Sequence, residues 1–428
     1  MPPKKPDTQG KSFSRRMREK LADWIELQEE KKARTDLILA REAEEEAAKE
    51  KTIPAYVQGN VDHWFLLLVV LMLAFGAVIS YTASAVYAET KFDDSTYFLR
   101  KYILYTVLSI AVTLPFVIYA KLWFWRIFGV LAYLGSIFLL LLVLVVGVAQ
   151  GDAQRWLQLG PVTIQPSEIA KMAVVMVLAL YMTKHEKEVK SPLPYGGSFR
   201  YGVLRPGIIF GLICILVAAE HHISGLLIIA MISVVVMYLG GTKLKYLLII
   251  GGAVAVLGVL MVLVSDYAGN RIDIWLHLEE LDPRGIAWQT LEGLYAIGSG
   301  GLFGRGLGNS QMKYGYISQP QNDYVFTVIC EELGFVGALM VVALFALLVI
   351  RGFKIAAAAP DKYSALVVYG LTFKVALQAA LNIAVVTNSM PNTGISLPFF
   401  SSGGTSLAVQ IFEMGIVLSI SRYSTVKE

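Results

Sequence analysis

The sequence predicts an all-α membrane protein that crosses the bilayer about ten times. Hydrophobic residues make up 56% of its 428 residues, whereas soluble domains contain roughly 45–50%. Apolar runs of about 20 residues recur along the chain, and each is long enough to cross a hydrocarbon core of about 30 Å as a helix. The composition therefore excludes an ordinary soluble domain.

Ten segments are predicted to span the membrane. The first begins near Trp64 and is expected to act as a signal anchor, because no cleavable signal peptide precedes it. The fifth and sixth segments are short and are separated by Glu220-His221-His222. The ten segments cover residues 64–86, 102–120, 127–149, 168–183, 206–219, 223–240, 246–264, 324–350, 364–387 and 403–420.

Residues 1–60 are expected to form a charged cytoplasmic extension, followed by a transmembrane domain over residues 61–425. Lysine and arginine are densely mixed with glutamate in the extension, and helix-forming residues dominate from Ser14 to Lys51. A solvated or membrane-surface helix fits this composition. Docking of a cytoplasmic partner is the alternative.

Charge asymmetry orients the predicted helices. With the N-terminus in the cytoplasm, the inner loops carry most of the lysine and arginine, and the long outer segment 265–323 between the seventh and eighth spans carries little. Both termini of the protein are therefore expected in the cytoplasm. The net charge of +4 arises mostly in the inner loops and does not indicate nucleic acid binding. The inner-loop cations are Lys121, Arg126, Lys184, Lys187, Lys190, Arg200, Arg205, Lys243, Lys245, Arg351, Lys354, Lys362, Arg422 and Lys427.

Four groups of polar residues fall on the predicted outer side. The first joins Arg155 and Trp156 to Glu168 and Lys171. Ser167 is expected to cap the N-terminus of the helix that follows. Glu168 and Lys171 are three residues apart and are expected to pair, because an unpaired ammonium inside a bilayer is costly. The alternative is an amphipathic surface loop anchored by Trp156.

The second group is the outer segment that contains Arg284 and Arg305. Six glycines between residues 298 and 308 allow tight turns and a close approach of the backbone to a ligand. Such a loop alone is weak evidence for phosphate binding.

The third group consists of Asp323, Glu331 and Glu332 at the start of the eighth span. Asp323 is either a functional carboxylate or a helix N-cap, where a carboxylate is also favourable. Glu331 and Glu332 lie about two turns into the span. At least one of them is expected to pair with a cation such as Lys171 or Lys374, or to face a wet cavity.

The fourth group is the stretch Pro391–Ser406, which contains Ser401 and Ser402. Its prolines and glycines cannot form a regular lipid-facing helix, and irregular backbone at membrane depth needs a shield of protein or a cavity. The stretch is therefore predicted to form the wall of a substrate groove. A plain outer loop is the alternative.

Taken together, these motifs resemble the shape, elongation, division and sporulation (SEDS) family of polytopic glycosyltransferases, which includes FtsW, RodA and SpoVE. The resemblance covers residues 60–425. It rests on Arg155-Trp156-Leu157, Gln165-Pro166-Ser167-Glu168-Ile169-Ala170-Lys171, Ala296–Gly304, Asp323-Tyr324-Val325-Phe326, Glu331-Glu332-Leu333-Gly334 and Pro391–Ser406.

The resemblance implies polymerisation of glycan strands from lipid II, the undecaprenyl-pyrophosphate-linked disaccharide pentapeptide, at the outer face of the membrane. It also implies a partner, a class B penicillin-binding protein with transpeptidase activity. Asp323 matches the family's catalytic aspartate and is the candidate base. A divalent cation (Mg²⁺ or Mn²⁺) is an alternative source of positive charge. The candidate substrate-binding residues are Arg155, Trp156, Lys171, Arg284, Arg305, Lys374, Ser401 and Ser402.

The chain departs from the family pattern at several positions. Gln319 and Gln321 stand where the family commonly has Glu and His, Glu220-His221-His222 replaces a common Gln-Pro-Asp, and Ser402 replaces a common tyrosine. The sequence around Asp282-Pro283-Arg284-Gly285 and the charged N-terminal extension favour the division type, with elongation and sporulation types as alternatives. A lipid II transporter and a non-catalytic scaffold are the competing function classes.

Overall fold

The protein was examined as a computed structural model. Besides residues 29, 33 and 37, the structure describes residues 59–150, 153–160, 162–191, 197–220, 222–252, 266–278, 280, 282, 287–311, 313–316, 321–401 and 403–423. The chain divides into two compact units, residues 1–57 and 58–428. The N-terminal extension predicted over residues 1–60 therefore lies almost wholly outside the described part.

Helices dominate the described part of the chain. A short helical turn (Gly197–Phe199) and a π-helical turn (Arg200–Leu204) lead directly into α6. The helices are α1 (His63–Phe92), α2 (Tyr97–Tyr119), α3 (Leu122–Val146), α4 (Pro166–Lys184), α5 (Glu186–Lys190), α6 (Arg205–Ala219), α7 (Ile223–Leu239), α8 (Asp266–Leu276), α9 (Trp288–Ser299), α10 (Val325–Ala357), α11 (Lys362–Val386) and α12 (Gly404–Ser421).

The predicted all-α membrane-spanning class is confirmed. Among the described residues, eight helical segments are long and apolar enough to cross a membrane, and α7 is a shorter apolar helix. Residues 244–252 are helical and begin the predicted seventh span. The remainder of that span, residues 253–264, lies outside the described residues, so the count of ten stays a prediction.

The helices differ in how much of their surface the protein covers. α4 and α11 are buried over most of their length, whereas α2 and α3 expose most of their apolar side chains. The largest helix contacts join α10 to α11, α3 to α4 and α2 to α12. Exposed apolar side chains on α2 and α3 suit a lipid environment, because acyl chains solvate them as well as a protein core would.

A small antiparallel sheet, which the sequence reading did not predict, stands between α3 and α4. Its strands are β1 (Val148–Gln150), β2 (Ala153–Leu159) and β3 (Val162–Ile164). Backbone pairing in the order β1-β2-β3 satisfies peptide groups that an amphipathic loop would leave to water. Gly160 has a φ of +63° in the turn after β2, a conformation that glycine adopts without steric cost.

Helix α10 is broken near its start by Gly334, whose φ and ψ of 68° and −164° are essentially restricted to glycine. The break frees backbone groups that the glycine-rich loop pairs with. The N–H groups of Arg305 and Gly306 donate to the carbonyl oxygens of Glu331 and Glu332 at 3.0 and 2.9 Å. In return, the N–H groups of residues 335 and 336 donate to the carbonyl oxygens of residues 301 and 302.

Backbone and side-chain bonds join the ends of the described chain at the end of the bundle where α1 begins. The N–H of Gly59 donates to the carbonyl oxygen of Arg422, and the N–H of Asp62 donates to Ser421 Oγ at 3.0 Å. Arg351, at the end of α10, pairs with Asp62 at 2.7 Å. The first residues of α1 are thereby fixed to the last turn of α12.

Candidate active site

A cavity of about 490 Å³ lies at the end of the bundle opposite this junction. Loops and helix ends from every part of the sequence meet there, because α2, α4, α7, α10 and α12 all begin at this end. Six of the residues predicted from the sequence line the cavity. They are Arg155, Trp156, Glu168, Lys171, Asp323 and Ser401.

Asp323 is held in the cavity wall through its backbone. Asn382, a fully buried residue of α11, donates from Nδ2 to the carbonyl oxygens of Asp323 at 2.8 Å and of Ile395 at 2.6 Å. Ser401 Oγ donates to the carbonyl oxygen of Asn322 at 2.7 Å. These bonds join the start of α10 to the irregular stretch before α12. They hold the backbone of Asp323, from which its carboxylate projects, in place.

The side chain of Asp323 is not used to cap α10. The N-cap is Tyr324, and no side chain forms a capping bond there. Burial raises the pKa of the Asp323 carboxyl above its ordinary value, and the positive charges of Arg155 and Arg271 oppose that rise. A carboxylate whose pKa is raised by burial is, when ionised, a stronger base than an exposed aspartate.

The wall opposite α10 comes from the strand β2, which carries Arg155 and Trp156 into the cavity. Arg155 influences the pKa of three other groups, since its charge acts on Asp323, Glu220 and His222. Its positive charge therefore acts on titratable groups from both the start of α10 and the turn between α6 and α7. A guanidinium can bind phosphate oxygens in bidentate fashion.

Glu168 and Lys171 form the expected pair, with Lys171 Nζ 2.7 Å from Glu168 Oε1. The expected N-cap role of Ser167 is wrong. α4 begins at Pro166, with Gln165 as N-cap, because proline is favoured in the first turn, where its missing N–H costs nothing. The hydroxyl of Ser167 instead contacts His222 Nδ1 at 3.2 Å.

Two further titratable groups, Glu220 and His222, lie in the turn between α6 and α7, and the sequence reading singled them out only as departures from the family pattern. Glu220 is 1% exposed, and neither of its carboxylate oxygens makes a hydrogen bond among the described residues. Burial raises the pKa of Glu220 to about 8, against the charge of Arg155. Burial, with Arg155 and Lys171, lowers the pKa of His222 to about 3. His222 lines the cavity and is therefore neutral at pH 7.

Among the described residues, the predicted cations Lys374 and Arg305 do not line the cavity. Lys374 donates to both carboxylate oxygens of Glu413, at 2.7 Å each, so its role as a direct substrate contact stays a prediction. Arg305 lies 3.6 Å from Glu331 in the glycine-rich loop. Arg284 and Ser402 lie outside the described residues.

Glu331 and Glu332 each lie beside a cation, as expected, but these cations are Arg305 and Lys313 rather than Lys171 or Lys374. Glu331 accepts hydrogen bonds from Ser310 Oγ at 2.5 Å and from the N–H of Gln311 at 2.8 Å. Glu332 pairs with Lys313 at 3.1 Å. Both carboxylates therefore hold the glycine-rich loop against α10.

Two glycines of this loop, Gly300 and Gly304, have a packing role in the described structure. A Cβ at Gly300 would lie 1.9 Å from the carbonyl oxygen of Cys330, and one at Gly304 would lie 2.2 Å from that of Glu332. The close approach that the sequence predicted is thus an approach to the backbone of α10.

Lys101 and Gln378 also line the cavity but were not predicted, and Ser396 lines it as part of the stretch Pro391–Ser406. An amide in an otherwise apolar helix was the available signal for Gln378 and for Asn382, because buried polar groups need partners. Among the described residues, no group of three or more His, Cys, Asp or Glu side chains could hold a metal ion. The described residues thus supply no complete donor set for the divalent cation that was an alternative source of charge.

Comparison with known proteins assigns the family. Residues 62–426 match the family model FTSW_RODA_SPOVE, described as cell cycle protein. Stage V sporulation protein E of Bacillus subtilis is 35% identical, over 85% of this chain and 97% of its own length. The probable peptidoglycan glycosyltransferase FtsW of Geobacter sp. (strain M18) is 33% identical, over 83% and 95%.

Solved structures agree with this assignment. A chain of a peptidoglycan synthase complex superimposes with a TM-score of 0.70 and 25% identity, covering 86% of this chain and 99% of that one. The rod shape determining protein RodA of Thermus thermophilus gives a TM-score of 0.63 and 25% identity, covering 86% and 98%. The chain therefore belongs to the FtsW/RodA/SpoVE family of membrane proteins.

Proposed function

We propose that this protein is a peptidoglycan glycosyltransferase that polymerises lipid II into β-1,4-linked glycan strands. The observation that carries the proposal is the carboxylate of Asp323, which shares one cavity with Arg155 and Lys171. A base beside two cations is what transfer of a sugar from a pyrophosphate requires. Several relatives named as probable peptidoglycan glycosyltransferases support the same activity.

In the proposed reaction, Asp323 accepts the proton of the 4-hydroxyl of one disaccharide while the hydroxyl oxygen bonds to C1 of the other. The bond between C1 and the pyrophosphate oxygen breaks, and the lipid pyrophosphate leaves with the bonding electrons. An α-linked donor becomes a β-linked product, which is inversion and needs no covalent enzyme intermediate. Arg155 and Lys171 stabilise the charge that develops on the leaving pyrophosphate.

The reaction is proposed for the outer face of the plasma membrane. Support comes from the opposite end of the bundle, where Arg126 pairs with Asp361 at 2.8 Å, Arg351 with Asp62, and Lys362 with Glu186 at 2.8 Å. Lysine and arginine next to membrane spans favour the cytoplasmic side. The cavity end would then face outward, where lipid-linked precursors are joined to the wall.

We further propose a class B penicillin-binding protein as the partner. The structural relative with a TM-score of 0.70 is a chain of a peptidoglycan synthase complex that coordinates polymerization and crosslinking. A division role is supported by the relatives named FtsW. A sporulation role is the second candidate, because stage V sporulation protein E is 35% identical over nearly its full length.

The proposal is tested by polymerisation of lipid II with the purified full chain and its transpeptidase partner. Asp323→Asn keeps the size of the side chain and removes the base, so we expect glycan synthesis to fall by at least about 100-fold. Asp273→Asn is the matched control, since Asp273 lies in the same outer segment with an exposed side chain. Partner binding and thermal unfolding should be unchanged in both variants.

The same assay separates the competing functions. Retained polymerisation by Asp323→Asn would contradict the role of Asp323 as base, and lipid II movement across vesicles without glycan formation would favour a transporter. Growth supported by Asp323→Asn, but not by variants that lose the partner, would favour a scaffold. Repeating the wild-type assay with a chelator tests whether a divalent cation contributes to the reaction.

A further inference from the structure

Four charged side chains form a buried row at the floor of the cavity. Glu168 and Lys171 come from α4, Lys374 from α11 and Glu413 from α12, and all four are at most 5% exposed. The two glutamates and two lysines have no net charge together. Of the four, the α4 pair lines the cavity, whereas Lys374 and Glu413 lie behind it.

The two glutamates in this row accept different numbers of hydrogen bonds. Lys171 donates to Glu168 Oε1 at 2.7 Å, and Lys374 donates to both oxygens of Glu413. Glu168 Oε2 makes no hydrogen bond among the described residues, and Lys374 Nζ lies 4.0 Å from it. Because an ammonium group has three donors, Lys374 can serve Glu413 and Glu168 together.

This arrangement matters when an anion enters the cavity. Lys171 is the buried cation that an incoming phosphate can reach, but it already neutralises Glu168. Withdrawing it would leave a buried carboxylate unpaired, which is strongly unfavourable. A movement of Lys374 by about 1 Å would bring it within hydrogen-bonding distance of Glu168 Oε2.

We propose that Lys374 is a positioning residue that takes over the charge of Glu168 when Lys171 turns to the pyrophosphate of a bound polyprenyl lipid. While no anion occupies the cavity, Lys374 stays paired with Glu413. The exchange moves ion pairs only and makes or breaks no covalent bond. The inference rests on the proposed function for the identity of the lipid.

The test measures binding of undecaprenyl pyrophosphate to the full chain in nanodiscs, with undecaprenol as the uncharged control lipid. The main variant is Lys374→Met/Glu413→Leu, because replacing both partners of a buried ion pair by apolar residues is often neutral for folding. We expect its affinity for the pyrophosphate lipid to fall by at least about tenfold, with undecaprenol binding unchanged.

Glu168→Gln provides the discriminating background. Without a carboxylate to neutralise, Lys171 is already available, so adding Lys374→Met/Glu413→Leu should change affinity by less than about twofold. An equal loss for both lipids, an equal loss in both backgrounds, or wild-type affinity in the main variant would overturn the proposal.

A second variant keeps the test decisive if the double variant fails to fold. Glu413→Gln leaves Lys374 free to pair with Glu168, so it should bind undecaprenyl pyrophosphate at least as tightly as the wild type. A fall in that affinity would contradict the proposed exchange. Lipid II polymerisation by the wild type is measured separately. If the variants show the expected binding pattern but the wild type makes no glycan, the proposed function is refuted and the exchange of ion pairs still holds.

Discussion

Gly334→Ala is the substitution that most directly tests how the glycine-rich loop is held. The backbone at Gly334 has φ and ψ of 68° and −164°, and a Cβ there would lie 2.3 Å from the nitrogen of Gly304 and 2.6 Å from the carbonyl oxygen of Leu302. These contacts are backbone atoms, which cannot rotate away as a flexible side chain could. Either α10 straightens or the loop moves.

The expected cost has two parts. Backbone strain in a region that only glycine populates costs about 1–3 kcal/mol, and forcing an extra methyl group into a packed site typically costs about 1–3 kcal/mol more. The two together give a destabilisation of about 2–6 kcal/mol. The loss should be concentrated in the loop that Glu331 and Glu332 hold.

The assay is thermal unfolding of the purified protein in detergent, followed by tryptophan fluorescence, together with the lipid II polymerisation rate. Gly298→Ala is the matched control, because a Cβ at Gly298 in α9 meets nothing within 4 Å. We expect Gly334→Ala to melt several degrees lower and Gly298→Ala to melt at or above the wild-type temperature. Equal melting and equal activity of Gly334→Ala and the wild type would refute the reasoning.

Three further predictions concern charge. Burial raises the folded-state pKa of Glu220 to about 8 from an ordinary 4.5, so the free energy of unfolding falls as the pH rises between these values. Glu220→Gln removes this effect and should therefore stabilise the protein more at pH 8 than at pH 5, as measured by thermal unfolding. The polymerisation rate should fall on acidification with a midpoint above 3.8, because Asp323 must be ionised, and Arg155→Met should move that midpoint upward in a pH–rate profile. Lys313→Met leaves Glu332 buried without its cation and should cost about 3–5 kcal/mol, whereas Lys313→Met/Glu332→Leu should cost much less, as compared by chemical unfolding.

Local patterns in the sequence predicted the parts of the structure that depend on local rules. Hydropathy located the eight long apolar helices because a helix needs a minimum length to cross the hydrocarbon core. The pair between Glu168 and Lys171 followed from helix periodicity, since residues three apart share a face. The irregular backbone of Pro391–Ser406 followed from its prolines and glycines, and it does line the cavity.

The partners of Glu331 and Glu332 could not be found in this way. Ser310 and Lys313 reach them only because the glycine-rich loop folds back onto a broken helix, and that depends on the positive φ of Gly334 rather than on spacing. Lys374 likewise pairs with Glu413 across α11 and α12, 39 residues away. Tertiary packing decides which side chains pair, and sequence spacing alone cannot distinguish among the candidate partners.

The junction between Gly59, Asp62 and the end of α12 has a practical consequence for shortened forms of the protein. A chain starting at residue 63 would lack the acceptor for Arg351 and both backbone donors that reach Ser421 and Arg422. Its last helix, which also carries Glu413, would fray from the terminus inward. Trimming before residue 59 leaves these bonds in place, so that is where a truncation for biochemical work should stop.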